Sequence, residues 1–264
     1  MVALEAGAAR LVLDPIHGGR AARLEVGGLP LLLPPEADDR NHGIFPMAPF
    51  AGRVRDGRFT FEGTEHQLPL NMPPHAIHGT VRDQRWRVTE QTATAAVLTV
   101  DLADPWPFRG RVVQRFQLAP DRLNITMEVH STRDAMPASC GWHPWWQREL
   151  GRGEPVELEL HASRMYIKDD TGIPTGELGP VTPPPWDDCF TDLGSPPAVL
   201  RWPGAATVTI ETDCPCLVVY TEPELALCVE PQSAPPDALN QEPFVVRPGS
   251  PLEAHATFHW AIDE

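Results

Sequence analysis

The segment Val112-Val113-Gln114-Arg115-Phe116-Gln117-Leu118, Ala119-Pro120-Asp121-Arg122, Leu123-Asn124-Ile125-Thr126-Met127-Glu128-Val129 holds two alternating runs joined by a short Pro-Asp turn. Period-two alternation places every second side chain on one face of a strand, and proline with aspartate favours a tight reversal. The segment therefore reads as a β-hairpin. The same signal recurs on both sides of it. Upstream are Arg10–Leu13, Ala22–Val26, Arg58–Phe61 with a turn at Glu62-Gly63, Trp86–Thr89 and Ala96–Val100. Downstream are Val156–Leu160, Thr207–Ile210, Leu217–Tyr220 and Ala254–Trp260. No window of a dozen residues carries a proline-free 3.6-residue apolar repeat, so the chain reads as all-β. No repeat of 20–50 residues divides it, and residues 1–264 read as one domain. Thr171 to Pro197, rich in Gly and Pro, reads as a long functional loop.

Composition narrows the function classes. The 264 residues hold 21 Lys+Arg against 36 Asp+Glu, a formal charge of −15, which disfavours nucleic acid or an anionic membrane as partner. The 31 prolines count against long helices, since proline has no N–H to donate. Leu29–Leu33 is too short to span a bilayer, and the first residues lack a basic, then apolar leader, so a cytoplasmic location is expected. Cys140, Cys189, Cys214, Cys216 and Cys228 fit neither a disulfide framework nor paired zinc knuckles and read as reduced thiols.

Several chemistries lack their motifs. There is no GxxxxGK[ST], GxSxG or HExxH, and Lys168 is the only lysine. His75 and His78 stand three apart, but Pro73-Pro74 precede them, which argues against a helical metal face. No cofactor and no metal are expected. What remains is imidazoles and carboxylates in turn-forming, aromatic-rich segments: Gly52-Arg53-Val54-Arg55-Asp56-Gly57-Arg58-Phe59, Ile77-His78-Gly79, Gly141-Trp142-His143-Pro144-Trp145, Asp187-Asp188-Cys189-Phe190, Val229-Glu230-Pro231-Gln232 and Asp237-Ala238-Leu239-Asn240. Singly, each is as well explained by a hydrogen-bonded turn or a structural ion pair.

Their order and identity together resemble the aldose 1-epimerase (galactose mutarotase) family, from about Asn41 to Asn240. The resemblance implies a β supersandwich with a sugar site across its concave face. It implies Glu230 as general base, His143 as general acid and His78 as the second active-site histidine. Arg53 would bind sugar, as would Asp187, with Asp188 the alternative one position on. The chain departs from the family pattern at Ala51-Gly52, where many members carry asparagine, and at His78-Gly79-Thr80, which lacks a second glycine.

The residue types suit the reaction. Interconverting α and β hemiacetals needs a proton taken from the C1 hydroxyl and another given to the ring oxygen. A carboxylate and an imidazole accomplish this without metal or nucleotide. Desolvation is expected to raise the pKa of Glu230, and nearby carboxylates to keep His143 protonated. Trp142, Trp145, Trp146 and Trp186 offer flat apolar faces for a pyranose, with Trp142 and Trp186 the candidates singled out. A sugar phosphate would call on Arg55, Arg82 or Arg85, but the acidic balance favours a neutral aldose. The alternatives are a hexose-6-phosphate 1-epimerase and a non-catalytic carbohydrate-binding protein of the same fold. A glycosidase built on Glu230 and Asp187 would leave the two histidine motifs unexplained. The expected partner is a small aldose, and the chain is expected as a monomer or homodimer.

Overall fold

The computed structural model describes residues 1–263. Among these, helix is confined to two single 3₁₀ turns, Arg55–Gly57 and Ala238–Asn240, and seventeen strands join in one sheet. The opening hairpin forms as read: Gly110–Ala119 pairs antiparallel with Arg122–Ser131, closed by Pro120-Asp121. Arg58–Phe61 likewise turns at Glu62-Gly63 into Thr64–Gln67. Both turn residues have positive φ, which the twist of a two-residue hairpin requires.

The sheet is one continuous ribbon folded into two layers. The first runs from Arg87–Gln91 through Ala95–Leu102, Gly110–Ala119, Arg122–Ser131, Leu252–Ile262 and Ala206–Thr212 to the C-terminal half of Asp187–Trp202. The N-terminal half of that 16-residue strand starts the second layer. It continues through Cys216–Tyr220, Ala226–Gln232, Gly141–Gln147, Ile44–Met47, Arg20–Val26 and Ala9–Asp14. The core lies between the layers, where Phe116, Ile125, Trp142, Trp146, Leu217, Val229 and Phe258 are buried together. Trp146 meets Phe258 edge to face at 5.3 Å across the gap. Each such side chain contributes roughly 1.5–3 kcal/mol by leaving water.

The segment from Thr171 to Pro197 is not a loop. It contains strand Pro174–Pro180 and the first eleven residues of Asp187–Trp202. Pro183, Pro184 and Pro185 lie in the connection between these two strands, and the prolines within the strands are tolerated for two reasons. Pro174–Pro180 pairs only with Glu157–Lys168, so one edge needs no donors. Pro196 and Pro197 stand where the 157–168 and 187–202 pairing shifts register, between Leu160↔Ala198 and Ala162↔Leu193.

Candidate active site

Five neighbouring strands of the second layer form the floor of the site. In order they are Ile44–Met47, Gly141–Gln147, Ala226–Gln232, Cys216–Tyr220 and Asp187–Trp202. His143 pairs with Phe45, and Glu230 with Val218. The Gly141↔Gln232 and Trp145↔Cys228 pairings on either side set His143 across from Glu230. Between those pairings stand Pro144 and Pro231, which have no N–H to give the ladder. Proline is foreign to central strands, and here it occurs twice beside the two titratable groups.

Side-chain alternation separates this row from the core. Trp142 and Trp146 point between the layers, whereas His143, Trp145, Glu230 and Gln232 project from the other face. Trp142 is fully buried, and its indole N–H donates to Gln114 Oε1 at 3.1 Å. It has no surface for a sugar, which corrects the sequence expectation. Trp186 is half-buried, donates to the Thr182 carbonyl and packs edge-on against Phe190. It does not line the cleft either. The aromatic that shapes the site is Trp145, stacked on the His143 imidazole with centroids 5.0 Å apart and planes 3° apart. The i, i+2 spacing from His143 is the sequence signal that finds it.

His143 Nε2 lies 3.2 Å from Glu230 Oε1, and the two side chains are 6% and 2% exposed. Gln232 Nε2 donates to the other carboxylate oxygen at 3.1 Å, which leaves Oε1 facing the imidazole. Phe45 packs against His143 at 4.6 Å, and His78 meets it edge-on at 5.1 Å with an interplanar angle of 86°. Burial pushes Glu230 well above the usual carboxylate range, with the Asp187 charge adding to the rise. Burial also pulls His143 well below 6.5, reinforced by the Arg82 guanidinium. The expectation that carboxylates hold His143 protonated is therefore reversed. Desolvation outweighs them, and both shifts favour the neutral forms of the pair, carboxylic acid and imidazole, which together hold one titratable proton.

His78 reaches the site from a strained turn. Its φ is +62°, uncommon for a residue with a Cβ, and its N–H donates to the Gly52 carbonyl at 3.0 Å. Gly79 follows at φ +74°, and a Cβ there would sit 2.0 Å from the Ala48 carbonyl oxygen. The His78 Nδ1 atom is buried without a partner, and burial depresses its pKa with His143 second in effect. At the rim, Arg53 donates to Asp187 Oδ2 at 3.0 Å. Asp188 instead pairs with Lys168 at 2.9 Å and does not line this cleft.

The cleft is lined by Arg53, His78, His143, Asp187, Glu230 and Gln232, with Met72, Tyr220 and Pro236 at its margin. Arg53 is its single cationic lining residue among those described. Arg55 is engaged by Asp169 at 2.6 Å, Arg85 is exposed elsewhere, and Arg82 lines a separate cleft. None of the three phosphate candidates is placed for a substrate in this site. Among the described residues no three His, Cys, Asp or Glu side chains converge as metal ligands. All five cysteines are buried and unpaired, and among the described residues no helix is long and apolar enough to cross a membrane.

Comparison with known proteins agrees with this architecture. The family model for aldose 1-epimerase matches residues 1–259, and the chain belongs to that family, which is one of isomerases, the mutarotases. The uncharacterized protein YihR of Escherichia coli K12 is 26% identical over 268 residues, covering 90% of this chain and 85% of that protein. The galactose mutarotase of Sus scrofa is 27% identical over 140 residues, covering 50% of this chain and 40% of the mutarotase. The crystal structure of a putative aldose 1-epimerase from E. coli K12 superposes with a TM-score of 0.86 at 21% identity, covering 98% of both chains.

Proposed function

We propose that this protein interconverts the α and β anomers of a free aldose by acid/base ring opening, with Glu230 as base and His143 as acid. The observation that carries the reading is the buried His143 Nε2–Glu230 Oε1 contact of 3.2 Å on the floor of a polar cleft. A proton moving across it converts the neutral resting pair into carboxylate and imidazolium. The carboxylate then takes the C1 hydroxyl proton while the imidazolium gives its own to the ring oxygen, and the C1–O5 bond breaks. The open aldehyde turns about C1–C2. Reversal of both transfers closes the ring on the other face and restores the pair.

The remaining residues hold the sugar. Arg53 and Asp187 present a donor and an acceptor at the rim, and neutral His78 hydrogen-bonds a ring hydroxyl beside His143. Positioned proton transfers of this kind contribute roughly 10²–10⁴-fold. A neutral aldose suits a cleft whose one guanidinium is already paired with Asp187. The test is polarimetry on freshly dissolved α-glucose and α-galactose, with the 6-phosphates alongside. Glu230→Gln and His143→Ala should each lose most of the catalysed relaxation while remaining folded. Full activity in both variants would refute the assignment. Sugar binding by the wild type without faster anomeric relaxation would favour a binding protein instead.

A further inference from the structure

A second cleft of about 810 Å³ opens on the molecule, and it shares no lining residue with the first. Two arginines are buried in its wall: Arg20 is 3% exposed and Arg82 5%. Both guanidiniums converge on one backbone oxygen, the carbonyl of Arg40, Arg20 through Nη1 at 3.0 Å and Arg82 through Nη2 at 3.4 Å. Arg20 also donates to the carbonyls of His17 and His42 and contacts His42 Nδ1 at 3.3 Å. Phe45 backs both guanidiniums, with Cζ of Arg82 4.0 Å and Cζ of Arg20 5.6 Å from its ring centre.

The carboxylates that offset this pair, Asp14, Asp38 and Asp83, act on it from a distance and not by direct hydrogen-bonded pairing. Among the described residues no carboxylate lies within 4 Å of Arg20, and Arg82 reaches only Asp83, at 3.9 Å, whose side chain is 70% exposed. The other carboxylates nearby are committed or exposed. Asp14 binds His17 and two backbone N–H groups, Asp38 caps the 38–41 turn, and Asp39 is exposed. The Nε of Arg82 is buried with no hydrogen-bond partner. Burial lowers the pKa of both arginines, that of Arg82 to about 10, as expected where like charges share a desolvated site. Buried ions are normally paired, and an adjacent pair of guanidinium forks matches the oxygens and double charge of a phosphate group.

We propose that this second cleft binds a phosphate group between Arg20 and Arg82, separately from the sugar cleft. Phosphate would place a direct counter-charge beside the two guanidiniums, where the nearest carboxylate, that of Asp83, stands 3.9 Å from Arg82. The Asp14, Asp39 and Asp83 carboxylates at the wall and rim limit the site to a compact ligand. Its existence does not depend on the mutarotase reading.

The test is titration of the wild-type protein with inorganic phosphate at constant ionic strength, following the arginine Nε–H resonances by NMR. A second arm uses glycerol 3-phosphate to distinguish the free ion from a phosphate monoester. Arg82→Lys assigns the Arg82 resonance by its loss. The Arg20 and Arg82 signals should shift saturably in at least one arm, exposed Arg87 should not, and Glu230→Gln should bind unchanged. Arg20→Met should bind at least tenfold more weakly by calorimetry. Absence of shifts beyond those given by chloride would overturn the proposal, as would equal shifts at Arg87. If Arg20→Met fails to fold, the wild-type resonances alone decide.

Discussion

The His143 imidazole lies flat against the Trp145 indole, 5.0 Å between centroids and 3° between planes, with Phe45 packed against the same imidazole at 4.6 Å. The stack fixes the ring that faces Glu230 and keeps water from it. Trp145→Ala should therefore act on His143 before it acts on anything else. Admitting water lifts the desolvation that depresses the imidazole, so the His143 pKa should rise toward 6.5. The ring should also lose its orientation, cutting kcat more than it raises KM. An NMR titration of His143 in the variant checks the first effect and polarimetry the second. Trp145→Phe, which keeps a stacking partner, should restore most of the activity.

Trp142 gives the matching control. It neighbours His143 in sequence, but its side chain is in the core and hydrogen-bonded to Gln114. Trp142→Phe should lower Tm, since it leaves a void and strands the Gln114 acceptor, at a cost of about 1–3 kcal/mol. KM for the aldose should stay where it was. A selective rise in KM with an unchanged melting curve would contradict the placement.

The turn that delivers His78 makes a further prediction. Gly79→Ala sets a methyl 2.0 Å from the Ala48 carbonyl oxygen at a φ of +74°, so the turn must open. The cost should be of the order of 1–3 kcal/mol, with loss of activity because His78 moves with it. His78→Ala removes the imidazole but leaves Ala48–Gly79 packing intact. It should lose activity with a smaller change in Tm, and thermal melts of the two variants separate the effects.

These cases also show what a sequence can and cannot carry. The Val112–Val129 hairpin was legible because each residue alternates and its turn is local. The histidine and glutamate motifs were legible as a set because their order is distinctive. The failures are of another kind. Thr171–Pro197 looks like a loop because proline opposes strands on average, and only the long-range pairing shows that Pro174, Pro180, Pro196 and Pro197 stand in strands, at an edge or a bulge. Trp142 and Trp145 are indistinguishable as residue types, and the face of the sheet on which His143 stands separates them. The depressed pKa of His143 depends on burial and on Arg82, 61 positions away in the chain.

The pH dependence of turnover follows from the shared proton. The working form of the Glu230–His143 pair holds one proton. A second proton must enter a site whose imidazole is pulled below 6.5, and the last proton leaves a carboxylate held well above its ordinary range. The two limbs belong to the pair, which titrates as a unit. Activity should therefore be level across the interval between them, with its acid limb below pH 6.5. An acid limb centred above pH 6.5 would contradict the burial argument. Glu230→Asp shortens the reach to His143 and should lower the plateau.

Glu230 should also weigh against stability at neutral pH. Its folded pKa is raised, so its contribution is fully present below the ordinary carboxylate value of 4.5 and is lost as pH rises through the folded value. The unfolded chain releases the Glu230 proton freely above pH 4.5, whereas the folded chain must hold it or bury a charge. Glu230→Gln keeps the shape and hydrogen-bonding capacity of a neutral carboxyl and cannot ionise. The variant should gain on the wild type as pH rises from 4.5, by roughly 2–4 °C in Tm for each kcal/mol relieved. The same substitution should cost about 10²–10⁴-fold in mutarotation, because an amide cannot accept the C1 hydroxyl proton. Melting curves across the pH range, set beside polarimetry on the same samples, test both signs together. A variant less stable than the wild type at pH 7 would mean that Glu230 is held there as a stabilising partner of His143 and not as a buried, reactive acid.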